Sequence, residues 1–310
     1  MKKFSAELSE FEIDGLRESS LSQTVRVGSP ALEEILYRPF HILNHGFIRV
    51  IDYMGTDASI VQAARVSYGA GTKKVQEDRG LINYLMRHRH TTPFEMCEIK
   101  MHLKMPIFVA RQWVRHRTAS MNEYSARYSV LSNEFYLPEI SQIAWQSETN
   151  KQGKSNKRLP EDHSRKVLEI LERLSTEAYK KYSHMLDDLS LTRELARTVL
   201  PLSVYTEMYW KIDLHNLMHF LTLRADSNAQ YEIRCYAEVI LNILEKWLPL
   251  TYEAFIDYRK DSVLLSKKCK ELITRMLNGE HITREKSDLS IGEWQDFVNM
   301  FNIRPSAKAE

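Results

Sequence analysis

The clearest alternation of apolar and polar positions lies in Glu98–Pro106, whose sequence is EIKMHLKMP. Its Ile, Met and Leu side chains fall on one face and its Lys and His side chains on the other, which predicts a strand with one buried face. Two further segments, HGFIRVIDYMG and VYTEMYWKI, are rich in β-branched and aromatic residues and predict two more strands. The pattern therefore predicts a small sheet.

Apolar residues at helical spacing predict helices between these strands. Asp57 is a candidate N-cap for ASIVQAARVSY, and Pro106 suits the first turn of a helix in PIFVARQWVRHR. Further helices are predicted in GLINYLMRHRH, SRKVLEILERLSTEAYKKYSHML, LTRELARTVLP, DLHNLMHFLTLR and NAQYEIRCYAEVILNILEKW. The segment TASMNEYSAR and residues 146–163 are polar and predict loops. Together these elements predict an α+β fold, a single domain with a small, mainly antiparallel sheet packed by several long helices.

Composition narrows the classes of protein that fit. The 310 residues are 43% hydrophobic and carry a formal net charge of only +2, so any affinity for phosphate must come from a local cluster of Arg and Lys. Cys97, Cys235 and Cys269 form neither a disulfide framework nor a CxxC pair. The N-terminal segment lacks the apolar core of a secretory signal, and no run of about 18 apolar residues predicts a membrane span. We therefore expect a soluble protein of the reducing cytoplasm, with no membrane partner.

One segment, RQWVRHRTASMNEYSARY, gathers the groups that bind nucleotides. Arg is the side chain best shaped for bidentate phosphate contact, and Arg111 and Arg115 are four residues apart on a predicted helix. Polar groups follow in a predicted loop, where they can converge on a ligand. The groups concerned are Arg111, Gln112, Trp113, Arg115, Arg117, Asn122, Glu123, Ser125 and Arg127.

Two other interpretations of this basic segment stay open on composition alone. A basic run is commonly a solvated helix face, and it can also be a non-specific nucleic-acid patch. Asn122 and Glu123 interrupt the positive charge, which a phosphate-backbone binder does not need. The alternative to an enzyme is therefore a non-enzymatic nucleotide- or RNA-binding protein that uses the same arginines.

The run from Arg115 to Arg127, called the signature segment below, resembles the signature of the flavin-dependent thymidylate synthases, R-H-R-x-x-S-x-N-E-x-S-x-R. All eight fixed positions match, which makes the resemblance specific. The segments AARVSY, HTTPFE and LRADSNAQ also resemble that family in order and spacing. The resemblance covers roughly residues 30–260. It implies an N-terminal extension (1–30), a catalytic domain (31–260) and a C-terminal helical extension (261–310).

The resemblance implies synthesis of dTMP from dUMP, with methylenetetrahydrofolate as one-carbon donor and NADPH as reductant through bound FAD. Arg224 would be catalytic, because a cation beside N3 and its neighbouring carbonyl disperses negative charge in the uracil ring. The residues implied to bind dUMP are Gln112, Trp113, Val114, Arg115, Glu123, Tyr124, Ser125, Ala126, Arg127, Arg197 and Arg224.

The same resemblance implies a set of FAD contacts drawn from more than one subunit of a homotetramer, and no nucleic-acid partner. Some relatives carry Asn where Asp213 and His219 stand here, and an ionised Asp213 cannot donate a hydrogen bond from its side chain. The implied FAD contacts are Ser67, His90, Thr92, Arg115, His116, Arg117, Glu123, Asp213, Leu214, His215 and His219.

Several of these residues have plainer interpretations. His90 can equally be a helix-end histidine with a local partner. His215 and His219 have the H-x-x-x-H spacing of a zinc site, but no HExxH motif or third ligand accompanies them, so we expect no metal. Ser125 has no adjacent histidine base and is predicted to bind ligand, not to attack it. Cys97 and Cys235 are predicted to be core residues, not the attacking thiol of the classical thymidylate synthases.

Overall fold

The computed structural model describes Gly15 and residues 26–66, 75–148 and 151–301. Most of the predicted N-terminal extension and the predicted turn GAGTKK lie outside these residues. The contacts group the chain into two compact units, Met1–Phe255 and Ile256–Glu310. Within the described residues, no helix is both long and apolar enough to cross a membrane.

In the part of the first unit that the structure describes, five antiparallel strands form the central sheet in the order β1-β2-β3-β7-β4. This confirms the predicted α+β class. A separate hairpin pairs β5 with β6. The strands are β1 (Phe40–Ile42), β2 (Gly46–Met54), β3 (Glu98–Pro106), β4 (Ser120–Glu123), β5 (Ala144–Gln146), β6 (Lys154–Arg158) and β7 (Tyr205–Asp213).

The predicted helices are present in order, although LTRELARTVLP forms only a short helix and a 3-10 turn, and the helices at Pro30–Glu33, Thr92–Glu95 and Pro249–Phe255 were not predicted. Two of the helices belong to the second unit. Between the α-helices, short 3-10 turns lie at Ile140–Gln142, Arg197–Val199 and Arg284–Lys286, and a π-helical turn covers Ile256–Lys260. The α-helices are α1 (Pro30–Glu33), α2 (Asp57–Val66), α3 (Val75–Arg87), α4 (Thr92–Glu95), α5 (Ile107–Trp113), α6 (Glu161–Asp187), α7 (Arg193–Ala196), α8 (Leu214–Arg224), α9 (Tyr231–Trp247), α10 (Pro249–Phe255), α11 (Lys267–Leu277) and α12 (Ile291–Met300).

One face of the sheet is the apolar core of the first unit. The four apolar side chains of β3 are buried, as its alternation predicts. Helices α5, α8 and α9 add Trp113, Phe220 and Tyr236 to this core. The Trp113 ring lies 4.5 Å from that of Phe220 and 6.1 Å from that of Tyr236, measured between centroids. Tyr236 also donates a hydrogen bond to the carbonyl of Lys104, across Gly46, where any Cβ would collide with the Tyr236 hydroxyl.

The opposite face of the sheet is also partly buried, which the alternation did not indicate. His102 and Lys104 are each less than a tenth exposed because charged neighbours cover them. His102 lies 3.0 Å from Glu207 Oε2, and its other ring nitrogen accepts from the Arg49 guanidinium at 3.1 Å. Lys104 Nζ lies 2.8 Å from Glu134. The partly exposed carboxylates of Glu134 and Glu207 thus partner the buried side chains of Lys104 and His102 on this face.

Three local predictions are wrong. TASMNEYSAR is not all loop, because Ser120–Glu123 pairs with β7 as strand β4. The predicted loop 146–163 contains strand β6 and the start of α6. Helix α5 ends at Trp113, so Arg111 and Arg115 do not share one helix.

Asp57 has a different role from the one predicted. Its carboxylate accepts hydrogen bonds from the backbone N–H groups of Leu250 and Thr251, both at 3.0 Å, and from the Thr251 hydroxyl at 2.6 Å. It therefore satisfies the first turn of α10, nearly two hundred residues away in the chain, where free N–H groups need acceptors.

The second unit has a small core of its own. Leu272, Ile282, Leu289 and Phe297 are buried together, with Trp294 packed against them. Helix α12 begins with a capping box, in which Ser290 and Glu293 satisfy each other's backbone N–H groups.

Candidate active site

Helix α8 organises the first part of the site. Asp213 is its N-cap: one carboxylate oxygen accepts from the backbone N–H of Asn216 at 2.9 Å, and the other accepts from the Asn216 amide at 2.7 Å. His215 and His219 are four residues apart on this helix and reach the surface. Arg224 is its last residue. Both carboxylate oxygens of Asp213 are thus engaged by Asn216, one through its backbone N–H and one through its side-chain amide.

The signature segment meets this helix at its far end. Arg224 Nε donates a hydrogen bond to His116 Nε2 at 2.9 Å, although 108 residues separate the two in the chain. The His116 ring is buried and packs edge-on against Phe220, with centroids 4.8 Å apart. Burial, the Arg224 charge and His219 lower the pKa of His116 from 6.5 to about 4, so this imidazole is neutral at neutral pH.

The segment that contains HTTPFE lies beside the start of α8. Helix α4 begins at Thr92 and packs against α8, and the Leu214 N–H donates to the carbonyl of Cys97 at 2.8 Å. His90 is exposed, and its ring stacks on that of Tyr84 with centroids 5.8 Å apart. His90, Thr92 and the two histidines of α8 thus belong to neighbouring parts of the fold.

The second half of the signature segment contacts β7 and helix α7. Glu123 Oε1 accepts from the buried hydroxyl of Thr206 at 2.8 Å. Arg127 pairs with Glu194 at 2.7 Å, and Arg197 Nε donates to the Glu194 carbonyl at 3.3 Å. Glu194 thus contacts Arg127 through its carboxylate and Arg197, three residues further along the chain, through its backbone carbonyl.

Other predicted site residues have less freedom to touch a ligand. Trp113 is fully buried, so its indole belongs to the core and offers no aromatic surface to a nucleotide. Leu214 is also fully buried, and Ala126 is nearly so. The exposed Gln112 amide donates to Gln230, at the start of α9. Of the remaining predicted residues, Val114 is half-buried, and four reach the surface: Arg115, Arg117, Tyr124 and Ser125. Ser67 lies outside the described residues.

Sequence reasoning missed three residues that hold the site together. Thr206, Glu194 and Gln230 contact Glu123, Arg127 and Gln112, respectively. Thr206 lies in a predicted strand whose alternation places it on the buried face, and that position was the available signal. Gln230 ends the segment LRADSNAQ, whose family resemblance was the available signal, whereas no spacing in the chain indicates a link between Glu194 and the signature segment.

Metal and thiol chemistry find little support in this geometry. Across residues 26–66, 75–148 and 151–301, His, Cys, Asp and Glu form no group of three or more that could hold a metal ion. Cys97 is fully buried, and burial raises the pKa of its thiol to about 12. Cys235 is half-buried beside Tyr231, so its predicted core position is only partly correct, and burial raises the pKa of its thiol too.

Known proteins resemble this chain in sequence and in fold. Residues 49–250 match the family model described as thymidylate synthase complementing protein. A flavin-dependent thymidylate synthase of Rickettsia bellii is 58% identical over 89% of this chain and 98% of its own length. The enzyme of that name from Wolbachia pipientis is 55% identical over 87% of this chain and 95% of its own.

A solved structure agrees with these relatives. The chain resembles the UMP/dUMP methylase PolB from Streptomyces cacaoi, crystallised with 5-Br dUMP, at a TM-score of 0.65 and 32% identity. The likeness covers 71% of this chain and 99% of that one.

Proposed function

Because the chain belongs to the flavin-dependent thymidylate synthase family, we propose that it converts dUMP to dTMP, with methylenetetrahydrofolate as one-carbon donor and NADPH as reductant through bound FAD. One observation carries this proposal for the chain itself. Arg224 and the signature segment, which the family resemblance assigns to a single site, are joined by the hydrogen bond from Arg224 to His116.

Arg224 is the residue that we propose to activate the uracil. It is partly buried, which lowers its pKa, but a guanidinium stays protonated at neutral pH. A fixed cation in a partly desolvated position stabilises charge better than one in water. Beside N3 and the adjacent carbonyl, it would draw negative charge into the ring and activate C5 toward the methylene group.

Arg127 and Arg197 are proposed to bind the phosphate of dUMP, together with Ser125. Both arginines contact Glu194, Arg127 at the carboxylate and Arg197 at the backbone carbonyl. Arg guanidiniums suit bidentate phosphate contact, and the incoming phosphate would replace the exposed carboxylate of Glu194 as counter-ion.

The exposed side chains around α8 fit a flavin. His90, Thr92, His215 and His219 supply ring nitrogens and a hydroxyl, and the stacked rings of His90 and Tyr84 supply an aromatic face. Bound FAD, reduced by NADPH, would supply the hydride that completes the methyl group. The chain's own residues would hold and orient the flavin and keep dUMP beside it.

We also propose a homotetramer whose sites combine residues of several subunits. The long helix α6 supports this proposal, since Ile170, Leu171 and Leu174 on one of its faces are about 37 to 55% exposed in the single chain. We propose residues 31–260 as the catalytic domain and residues 1–30 and 261–310 as extensions. A cytoplasmic location is consistent with the three free cysteines.

The test of this function starts with the purified protein, which we expect to show flavin absorbance. Anaerobic incubation with dUMP, methylenetetrahydrofolate and NADPH should yield dTMP. Replacing Arg224 by Lys removes the planar fork and should lower turnover about a hundredfold. Arg165→Lys, a change at an exposed ion pair, is the control and should leave turnover unchanged.

A protein that is colourless, binds no added FAD and forms no dTMP would contradict the proposal. If such a protein still bound dUMP or RNA through Arg127, the non-enzymatic binding alternative would replace it.

A further inference from the structure

His116 is held in one place by the surrounding core. Its backbone N–H donates to the carbonyl of Trp113 at 3.0 Å, which ties it to the end of α5. Its ring packs edge-on against Phe220, a fully buried residue of α8, and lies 6.2 Å from the His219 ring. The position of Nε2 is therefore set by α5 and α8 together.

The hydrogen bond to Arg224 fixes the chemical state of this ring. Arg224 Nε carries a hydrogen at all relevant pH values, so His116 Nε2, 2.9 Å away, must present its lone pair. The ring is then neutral, with its proton on Nδ1. A second proton would place two cations in contact inside a partly desolvated site, and the pKa of about 4 agrees with this cost.

This arrangement also restricts the direction of the guanidinium. Nε is hydrogen-bonded to His116, and the two terminal nitrogens of Arg224 lie in the same plane as Nε because the guanidinium is planar. An arginine at a helix end has several free rotamers, and loss of that freedom on substrate binding costs free energy. A single acceptor at Nε removes much of the freedom before the substrate arrives.

From this geometry we infer that His116 is a positioning residue for Arg224, acting as an obligatory neutral acceptor that aims the guanidinium at the substrate. This role rests on the proposed function of Arg224 toward the uracil of dUMP. It differs from a flavin contact, because the ring nitrogen that faces Arg224 is not available to a flavin.

The test compares two amides at this position. In His116→Gln the side-chain oxygen takes the place of Nε2 and can still accept from Arg224. In His116→Asn the oxygen corresponds to Nδ1 and does not reach Arg224. Both variants are polar and smaller than His, so a purely structural defect would affect them similarly. His281→Gln, an exposed histidine of the second unit, serves as the control.

We expect dTMP turnover of His116→Asn to fall at least about tenfold, and that of His116→Gln to stay within about threefold of wild type. The Michaelis constant for dUMP should change less than kcat, because aim matters most as charge develops in the ring. Bound FAD per subunit and the affinity for dUMP, measured by calorimetry, should be similar in the two variants.

A double-mutant cycle gives the second readout. In an Arg224→Met background, the Asn and Gln variants should have equal turnover, because methionine has no N–H to donate and the hydrogen bond that distinguishes the variants is gone. Equal turnover of the Asn and Gln variants with Arg224 present would overturn the inference. So would independent, multiplicative effects in the cycle. If the wild-type protein makes no dTMP, the proposed function fails first and the inference falls with it.

Discussion

Thr206 shows how a buried residue can act on the candidate site without touching a ligand. Its hydroxyl is buried in β7 and donates to Glu123, which the family resemblance assigns to both dUMP and FAD. We predict that Thr206→Val, which keeps the shape and removes the hydroxyl, raises the Michaelis constant for dUMP about fivefold. Steady-state kinetics with saturating NADPH and folate would measure this change.

Thr206→Ser keeps the hydroxyl and is the matched control for that experiment. It should behave like wild type apart from a small loss of stability. Wild-type kinetics in the valine variant would mean that Glu123 does not depend on Thr206 for its position.

The lowered pKa of His116 leads us to predict how the free energy of unfolding depends on pH. Its pKa is about 4 in the folded chain, and the unfolded chain should have the ordinary value of 6.5. Between these values the unfolded state binds the proton that the folded state excludes. The contribution of His116 to the free energy of unfolding is therefore complete above pH 6.5 and is lost as the pH falls toward about 4.

Urea unfolding of wild type and His116→Gln, at about pH 7 and about pH 5, would measure this contribution. We expect the loss of stability on acidification to be smaller in the variant. His281→Gln, at an exposed position, should keep the wild-type dependence. The same pH dependence in all three proteins would show that His116 titrates equally in both states.

At the scale of elements, Asp57 links α2 to α10. Burial raises the pKa of its carboxyl, while hydrogen bonds from Thr251 and Leu250 act in the opposite direction. Removing the carboxylate would leave backbone N–H groups at the start of α10 without an acceptor. We predict that Asp57→Ala lowers the free energy of unfolding by about 2 kcal/mol. Urea unfolding would measure this loss.

Asp52→Ala is the control for Asp57, because the Asp52 carboxylate is more than half exposed and its ion pairs with Arg26 and Lys100 are weak. Its effect should stay below about 0.5 kcal/mol. Equal losses in the two variants would indicate that Asp57 is no more than a surface charge.

The elements differ in how well the sequence alone predicts them. Strand β3 has strict alternation, and its four apolar residues are buried as predicted. Strand β4, Ser120–Glu123, shows no alternation of apolar and polar residues. It is extended because it pairs with β7 and not through its own propensity, so its sequence did not predict it. The β5–β6 hairpin, AWQ and KSNKR, also lacks a clear alternation, and its two strands are extended because they pair with each other.

In the candidate site too, the sequence predicts residues that are close together in the chain better than residues that meet only on folding. The signature segment is visible in the sequence because its chemistry is concentrated in thirteen positions. The partners Thr206 and Glu194 are not visible, because they contact it through folding and not through spacing. Burial of Trp113 was likewise hidden, since an aromatic residue beside arginines fits a core and a ligand surface equally well.

At the scale of the whole molecule, helix α6 has an apolar face that the single chain leaves exposed. Its leucines repeat at helical spacing, which predicts burial, yet Leu171 and Leu174 are about 37 and 55% exposed, and Ile170 beside them is 48% exposed. Leu174 is three and four residues from Leu171 and Ile170, so the three side chains form one apolar face of the helix. A second copy of the chain would cover it in the proposed tetramer.

We predict that Leu174→Glu weakens this assembly, because a carboxylate buried without a partner between subunits is costly. Light scattering should show a species smaller than that of wild type. Turnover should fall with it, since the proposed sites need residues from a neighbouring subunit. Glu172→Ala, on the opposite side of α6, changes a charge without touching the apolar face and should leave both mass and turnover unchanged. A Leu174→Glu protein of wild-type mass would place the subunit contacts elsewhere.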